Sequence, residues 1–162
     1  RSEGIIFKIL YEVHKILTFV FTGKLIKFGN FSCLPRDHVE KLIQKAYLWN
    51  SYSSSVVQTI KDRTSIPSTR GKRYVLPSKM NFSALIFHSL AIISVFRKEV
   101  IIRSTIFFLI YLFFIFNKIS ILSLLPVLFL LAFVFVILNI SKRSNFEELN
   151  KSLDNIDTID VL

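Results

Sequence analysis

From Ile119 to Ile140 the chain carries 22 residues without one charged side chain, ISILSLLPVLFLLAFVFVILNI. A soluble core helix is rarely apolar all the way round over such a length, and roughly 20 apolar residues cross the ~30 Å hydrocarbon core of a bilayer. Pro126 interrupts the run, which a membrane helix tolerates because neighbouring helices and local adjustment satisfy the carbonyl that proline leaves free. A second apolar run precedes it. Ser104–Phe116 is dense in Phe, Ile and Leu. Extended back to Ile101, with Arg103 snorkelling to the head groups, it reaches about 16–17 residues, near the lower limit for a span. Asn117-Lys118 lies between the two runs. One continuous helix would bring Lys118 near the bilayer centre, at a cost of roughly 2.5–3.5 kcal/mol on insertion scales. The sequence therefore predicts a transmembrane hairpin, with helices over about 101–117 and 119–140.

Charge is unevenly distributed around this hairpin. Residues 1–103 hold 17 Lys/Arg against 6 Asp/Glu, and the tail 142–162 ends in an acidic stretch with five acids and one Lys after Arg143. Because the basic excess lies beside bilayer-spanning segments, lipid head groups and phosphorylated substrates are better partners for it than nucleic acid. Arg97, Lys98 and Arg103 precede the hairpin and Lys142 and Arg143 follow it, against Lys118 alone in the turn. The positive-inside rule then predicts a multi-pass protein of the inner or plasma membrane with both termini in the cytoplasm. Cys33 is the single cysteine, which excludes an intrachain disulfide. The chain opens on Arg1 and is expected to be a piece of a longer protein.

Upstream of the hairpin, residues 3–21 show helical periodicity. Ile5, Ile6, Ile9, Leu10, Val13, Ile16, Leu17, Val20 and Phe21 form one stripe, and Thr22-Gly23 offers a stop. Such a helix packs on a core outside the chain or lies on a membrane; the pattern allows both. Lys24–Leu34 alternates like a strand, broken by Gly29-Asn30. Asp37 is a candidate N-cap for a helix from His38 to about Trp49, and a short helix is expected over roughly 54–62, after the polar SYSSS stretch. Residues 66–79 form a basic loop with two prolines. Asn81–Phe96 is apolar almost all round but short for a span; Arg97-Lys98-Glu99 is expected to end it, and it reads as an interfacial or buried helix within 81–98.

The densest chemical signal is Arg70–Phe82, RGKRYVLPSKMNF. Arginine offers a planar fork for phosphate oxygens and lysine a mobile point charge, and a helix starting near 78–81 aims free N–H groups at an anion. The competing reading is a basic stretch held beside anionic lipid, worth about 1 kcal/mol per cation. His14, His38, His88 and Cys33 lack metal-ligand spacing, so no metal site is expected among them. Ser53–Ser55 have no paired base, and the sequons at Asn30, Asn81 and Asn139 are expected to be unmodified chance matches on the cytoplasmic topology.

The segments FGNFSCLPRDHVEKL (28–42) and RGKRYVLPSKMNFSALIFHSLAIISVF (70–96), followed by the hairpin, resemble the C-terminal part of membrane-anchored family 2 glycosyltransferases. Within that family they are similar to the branch of polyprenyl-phosphate glycosyltransferases and dolichyl-phosphate mannose synthases. The likeness runs from Arg1 to about Arg143, and its most specific part is the Arg–x4–Ser–Lys spacing of Arg73, Ser78 and Lys79. It implies a basic clamp on the donor diphosphate and acceptor phosphate formed by Arg73, Ser78 and Lys79, with Arg70 supporting. The chain departs from the pattern at Leu76 and Pro77, where relatives usually carry Gly before the Ser-Lys pair. The resemblance further implies a nucleotide-sugar donor, a polyprenyl phosphate or other lipid acceptor, and a divalent metal (Mg or Mn). That metal is held by an Asp-x-Asp-like motif that nothing in this chain matches, since Asp37 and Asp62 stand alone. No catalytic residue is assigned here. The implied fold is the end of an α/β, GT-A-like glycosyltransferase core over 1–80, mostly helical in this stretch, then the interfacial helix and the two-helix anchor. A rival of another class is a non-enzymatic basic membrane adaptor, whose loop binds anionic lipid alone.

Overall fold

The computed structural model describes residues 5–26, 31–67, 81–117 and 119–143, together with Glu147 and Lys151. Its elements are α1 (Ile5–Thr22), α2 (Arg36–Ile43), a 3-10 turn (Ala46–Trp49), α3 (Tyr52–Thr59), α4 (Phe82–Ser94), α5 (Arg97–Ile115) and α6 (Ile121–Ser141). α5 and α6 form an antiparallel pair. Arg97 at the start of α5 reaches Ser141 at the end of α6, with Nη1 3.4 Å from Oγ, and Tyr111 donates its hydroxyl to the Ser123 carbonyl at 3.0 Å. α1 and α4 pack against this hairpin, and α2, the 3-10 turn and α3 form a small head beside it.

Three apolar clusters hold these parts together. Leu42, Val56 and Ile60, with Leu34, Leu48 and Tyr52 around them, close the head. Val57, Val95 and Phe96 join α3 to the α4–α5 corner, with Ile26 and Tyr47 alongside. Ile93, Val100 and Ile137 lie where α4, α5 and α6 meet, and Phe21, Leu90, Phe133 and Val134 complete that cluster. Phe21 of α1 packs on Phe133 with ring centroids 4.4 Å apart and edge-on to Phe107 at 5.9 Å.

Local chemistry sets the element ends. α1 stops at Gly23, whose φ of 70° is the left-handed conformation that glycine adopts without steric cost, and whose N–H donates to the Phe19 carbonyl at 2.7 Å. Ser51 caps α3 by accepting from the Ser54 N–H, and Asn81 caps α4 by accepting from the Ala84 N–H at 2.8 Å. Ser120 and Ser123 form a reciprocal capping box at the start of α6. The serines of 51–55 are buried, which their hydroxyls allow by bonding locally: Ser55 Oγ donates to the carbonyls of Ser51 and Tyr47 at 2.7 and 3.0 Å.

Several expectations change. The α/β fold is overturned: every described element is helical, and no strand or sheet occurs among the described residues. Of the strand-like stretch Lys24–Leu34, the described residues 24–26 and 31–34 form no strand. Instead Ile26 and Leu34 serve as single apolar plugs in two different clusters. Asp37 lies inside the first turn of α2 rather than capping it, because the helix begins at Arg36 behind Pro35. The helix expected through Trp49 breaks at Gln44 and resumes as a 3-10 turn, and the next helix covers 52–59. Arg97-Lys98-Glu99 opens α5 instead of ending a preceding helix, and the second arm is Ile121–Ser141.

α6 is the one described helix long and apolar enough to cross a membrane, and 6 % of its apolar window is buried inside the protein. That exposure separates it from the core helix of a soluble domain, whose apolar surface is covered by its neighbours. Leu122, Phe129 and Phe135 are 77, 75 and 66 % exposed, and on α5 Phe113 and Phe114 are 81 and 74 % exposed. An uncovered apolar surface of this kind marks a site for membrane or protein contact.

Candidate functional site

Antiparallel pairing of α5 and α6 brings four cations to one end of the hairpin: Arg97 and Lys98 from the start of α5, Lys142 and Arg143 from the end of α6. All four are exposed. Arg143 lies over the ring of Phe87 on α4, its guanidinium carbon 4.8 Å from the centroid, a cation–π contact that ties α4 to this end. α4 runs from Ile93, packed at the α5–α6 junction, back past Phe87 to its N-cap Asn81. The basic segment singled out in the sequence feeds directly into this cap. Arg70, Arg73, Ser78 and Lys79 themselves lie outside the described residues, as does the turn residue Lys118.

Asn81 Oδ1 accepts from the Ala84 N–H and from the Ser83 hydroxyl at 3.0 Å. The first turn of α4 contains no acidic residue that would neutralise the positive end of its dipole. Phe82, Ile86 and Phe87 are about half exposed beside it, so the cationic rim adjoins an apolar one. Cations beside an exposed apolar surface match the two layers of a bilayer interface, head groups above acyl chains.

Polar groups behind the rim are paired only in part. Glu99 Oε1 accepts from Gln58 Nε2 at 3.2 Å, while Oε2 is buried without a partner among the described residues. Arg103, expected to snorkel toward the head groups, instead donates from Nη1 to the Val20 carbonyl at 3.2 Å and caps the end of α1. Arg63 does the same for α3, donating to the Ile60 carbonyl at 2.6 Å. Both contacts escaped sequence reading; the only signal is an arginine near a helix end. His14 on α1 is half-buried, and burial together with the neighbouring charge of His88 pushes its imidazole below the ordinary value of 6.5. Between α5 and α6 an open apolar groove of about 250 Å³ is lined by Phe107, Phe108, Tyr111, Pro126, Val127 and Leu130.

The metal implied by the family resemblance does not fit these residues. Among the described residues no three His, Cys, Asp or Glu side chains converge, and the carboxylates are dispersed: Glu12 pairs with Lys15, Glu40 with Arg36, and Glu99 with Gln58. No protein family, curated protein or solved structure was found to match this chain.

Proposed function

We propose that this chain is the membrane-seated, acceptor-side part of a family 2 glycosyltransferase, which in the full protein passes a sugar from a nucleotide-sugar to a polyprenyl phosphate or similar lipid acceptor. One observation carries the reading: the segment RGKRYVLPSKM (70–80), which bears the family likeness, directly precedes in sequence α4, whose Phe87 packs under Arg143 at the four-cation end of an apolar hairpin. A phosphate on a lipid acceptor sits at that level of a bilayer, and cations there meet it without leaving the head-group layer. In this reading both arms of the hairpin span the membrane, both ends of the chain are cytoplasmic, and α4 lies in the interface.

The chemistry assigned to this chain is electrostatic. Arg73 takes phosphate oxygens with its planar fork, Lys79 and Ser78 add a point charge and a hydroxyl, and Arg70 supports them. Displacement at the anomeric carbon develops charge on the departing diphosphate, and fixed cations there lower the barrier. The described residues offer no donor set for a divalent metal, so no step through one is assigned to them.

The test is the initial rate of sugar transfer to polyprenyl phosphate by the full-length protein in membranes at fixed ionic strength. Charge-assisted hydrogen bonds are worth about 1.5–3 kcal/mol, so Arg73→Lys, which keeps the charge and loses the fork, is expected to cost roughly ten- to a hundredfold in catalytic efficiency. Lys79→Ala should be comparably damaging and Lys72→Ala nearly silent. Equal, modest losses in all three indicate a diffuse basic patch. Shuffling residues 70–79 at constant charge without loss of membrane binding or activity would favour the lipid-binding adaptor instead.

A further inference from the structure

The end of α1 meets the hairpin well inside its apolar length. Phe107 lies about 15 Å along α5 from Arg97, and Phe133 about 12 Å along α6 from Ser141, at 1.5 Å per residue. Phe21 packs against both rings. Arg97, Lys98, Lys142 and Arg143 mark the head-group level in the membrane reading on which this inference rests. The head-group layer is on the order of 6 Å thick on each side, so Phe21 reaches below it. The chain then turns at Gly23 and climbs back, because Ile26 packs with Phe96 and Val95 at the α4–α5 corner. His14, by contrast, is within electrostatic reach of His88 on α4, which packs against α1, and His88 is one residue from the Phe87–Arg143 contact at the rim. The seven residues from His14 to Phe21 span about 10 Å, enough for a helix that descends from the rim to that depth.

Two groups that hydrocarbon would reject meet at the bottom of this descent. The last carbonyls of α1 have no intrahelical partner, and unsatisfied backbone groups are costly in lipid. Arg103, six residues into α5, carries a charge that is equally costly there. Arg103 donates to the Val20 carbonyl, and its guanidinium occupies the space where a Cβ on Gly23 would stand. Each therefore satisfies the other. Ile16, Leu17, Phe19 and Leu25, on the lower half of α1 and its turn, remain 39–62 % exposed, and no described element covers them.

We infer that the C-terminal half of α1 is a shallow wedge in the cytoplasmic leaflet, its exposed face in contact with bilayer lipid, and that Arg103 holds the tip of the wedge at the hydrocarbon boundary. Acyl chains are the occupant that fits, because the uncovered side chains are continuous in depth with the uncovered surface of the hairpin.

The test places single cysteines in a Cys33→Ser background, labels them with a fluorophore, and reconstitutes the chain in phosphatidylcholine–phosphatidylglycerol vesicles. Labels at Ile16→Cys and Phe19→Cys should be quenched by a nitroxide near the top of the acyl chain and protected from aqueous iodide. A label at Phe129→Cys, on α6, should be quenched by a deep nitroxide, and one at Ile43→Cys, on α2, by iodide alone. Iodide quenching at 16 and 19 with lipid quenching retained at 129 overturns the wedge while leaving the hairpin standing. Protection from both quenchers at 16 and 19 overturns it as well, since protein would then cover the face. Loss of lipid quenching at 129 refutes the underlying membrane reading. Arg103→Leu should turn the 19 label toward iodide without moving the 129 label, and Arg103→Lys should do so less. An unchanged 19 label in Arg103→Leu refutes the holding role.

Discussion

Arg63 and Arg103 do the same job at two helix ends, supplying N–H donors to carbonyls that the helix itself cannot pair. In the sequence one sits in a loop and the other at the edge of an apolar run, so neither role is visible without the fold. The glycine opposite Arg103 is the clearest case of a residue chosen for two reasons at once. Gly23 has a positive φ, and the guanidinium fills the place of its missing side chain. A left-handed conformation costs an L residue roughly 1–2 kcal/mol. Gly23→Ala should therefore destabilise by at least that much, read as a lowered midpoint of thermal unfolding in detergent, with the collision adding to it. His14 gives a pH dependence. Its folded-state value lies below 6.5, so the unfolded chain binds the proton first. The contribution is intact above pH 6.5 and is lost as pH falls from there through the folded value. Unfolding midpoints should fall over that window in the parent and more weakly in His14→Gln; equal slopes would remove His14 from the account.

At the scale of elements, the corner between α4 and α5 matters most. Ser94 ends one helix, Val95-Phe96 turns, and Arg97 begins the next, so the charged triplet that reads as a terminator is a helix start. Phe96 makes this corner because its side chain is 0 % exposed, in the cluster that also receives Val57 from α3. Replacing it by alanine removes the plug between head and hairpin. Phe96→Ala should cost about 3–5 kcal/mol, the range for a fully buried phenylalanine. Cysteine pairs across α3 and α5, such as Gln58 and Glu99, should then lose cross-linking yield if the head detaches. The polar run at 51–55 follows the same logic from the other side. As a string it is polar, yet its serines are buried at the start of α3, because each hydroxyl finds a local partner: Ser55 Oγ donates to the Ser51 carbonyl, and Ser51 Oγ accepts from the Ser54 N–H and pairs with the Ser53 and Ser54 hydroxyls.

For the whole molecule the testable statement is topology. A cysteine at Ile119, between the arms, and one at Lys142, after the second arm, should label from opposite sides of a sealed vesicle with an impermeant reagent, Cys33 having been replaced. Labelling of both from one side would end the two-span reading of the hairpin. Among the described residues only α6 has the length and apolarity of a membrane span, and that run was legible in the sequence, because hydrocarbon imposes a length and a composition that local residues alone must meet. Helix starts at Ser51, Asn81 and Ser120 also rest on local chemistry, each a side chain satisfying an N–H a few residues away, but of the three residues only Asn81 was read from the sequence as lying at a helix start. An alternating pattern such as Lys24–Leu34 becomes a strand only where another strand offers its edge, and only the tertiary structure could show that among the described residues none does. The same holds for Arg103 and Phe96: each gets its role from a residue tens of positions away, and long-range pairing is what a sequence read locally does not contain.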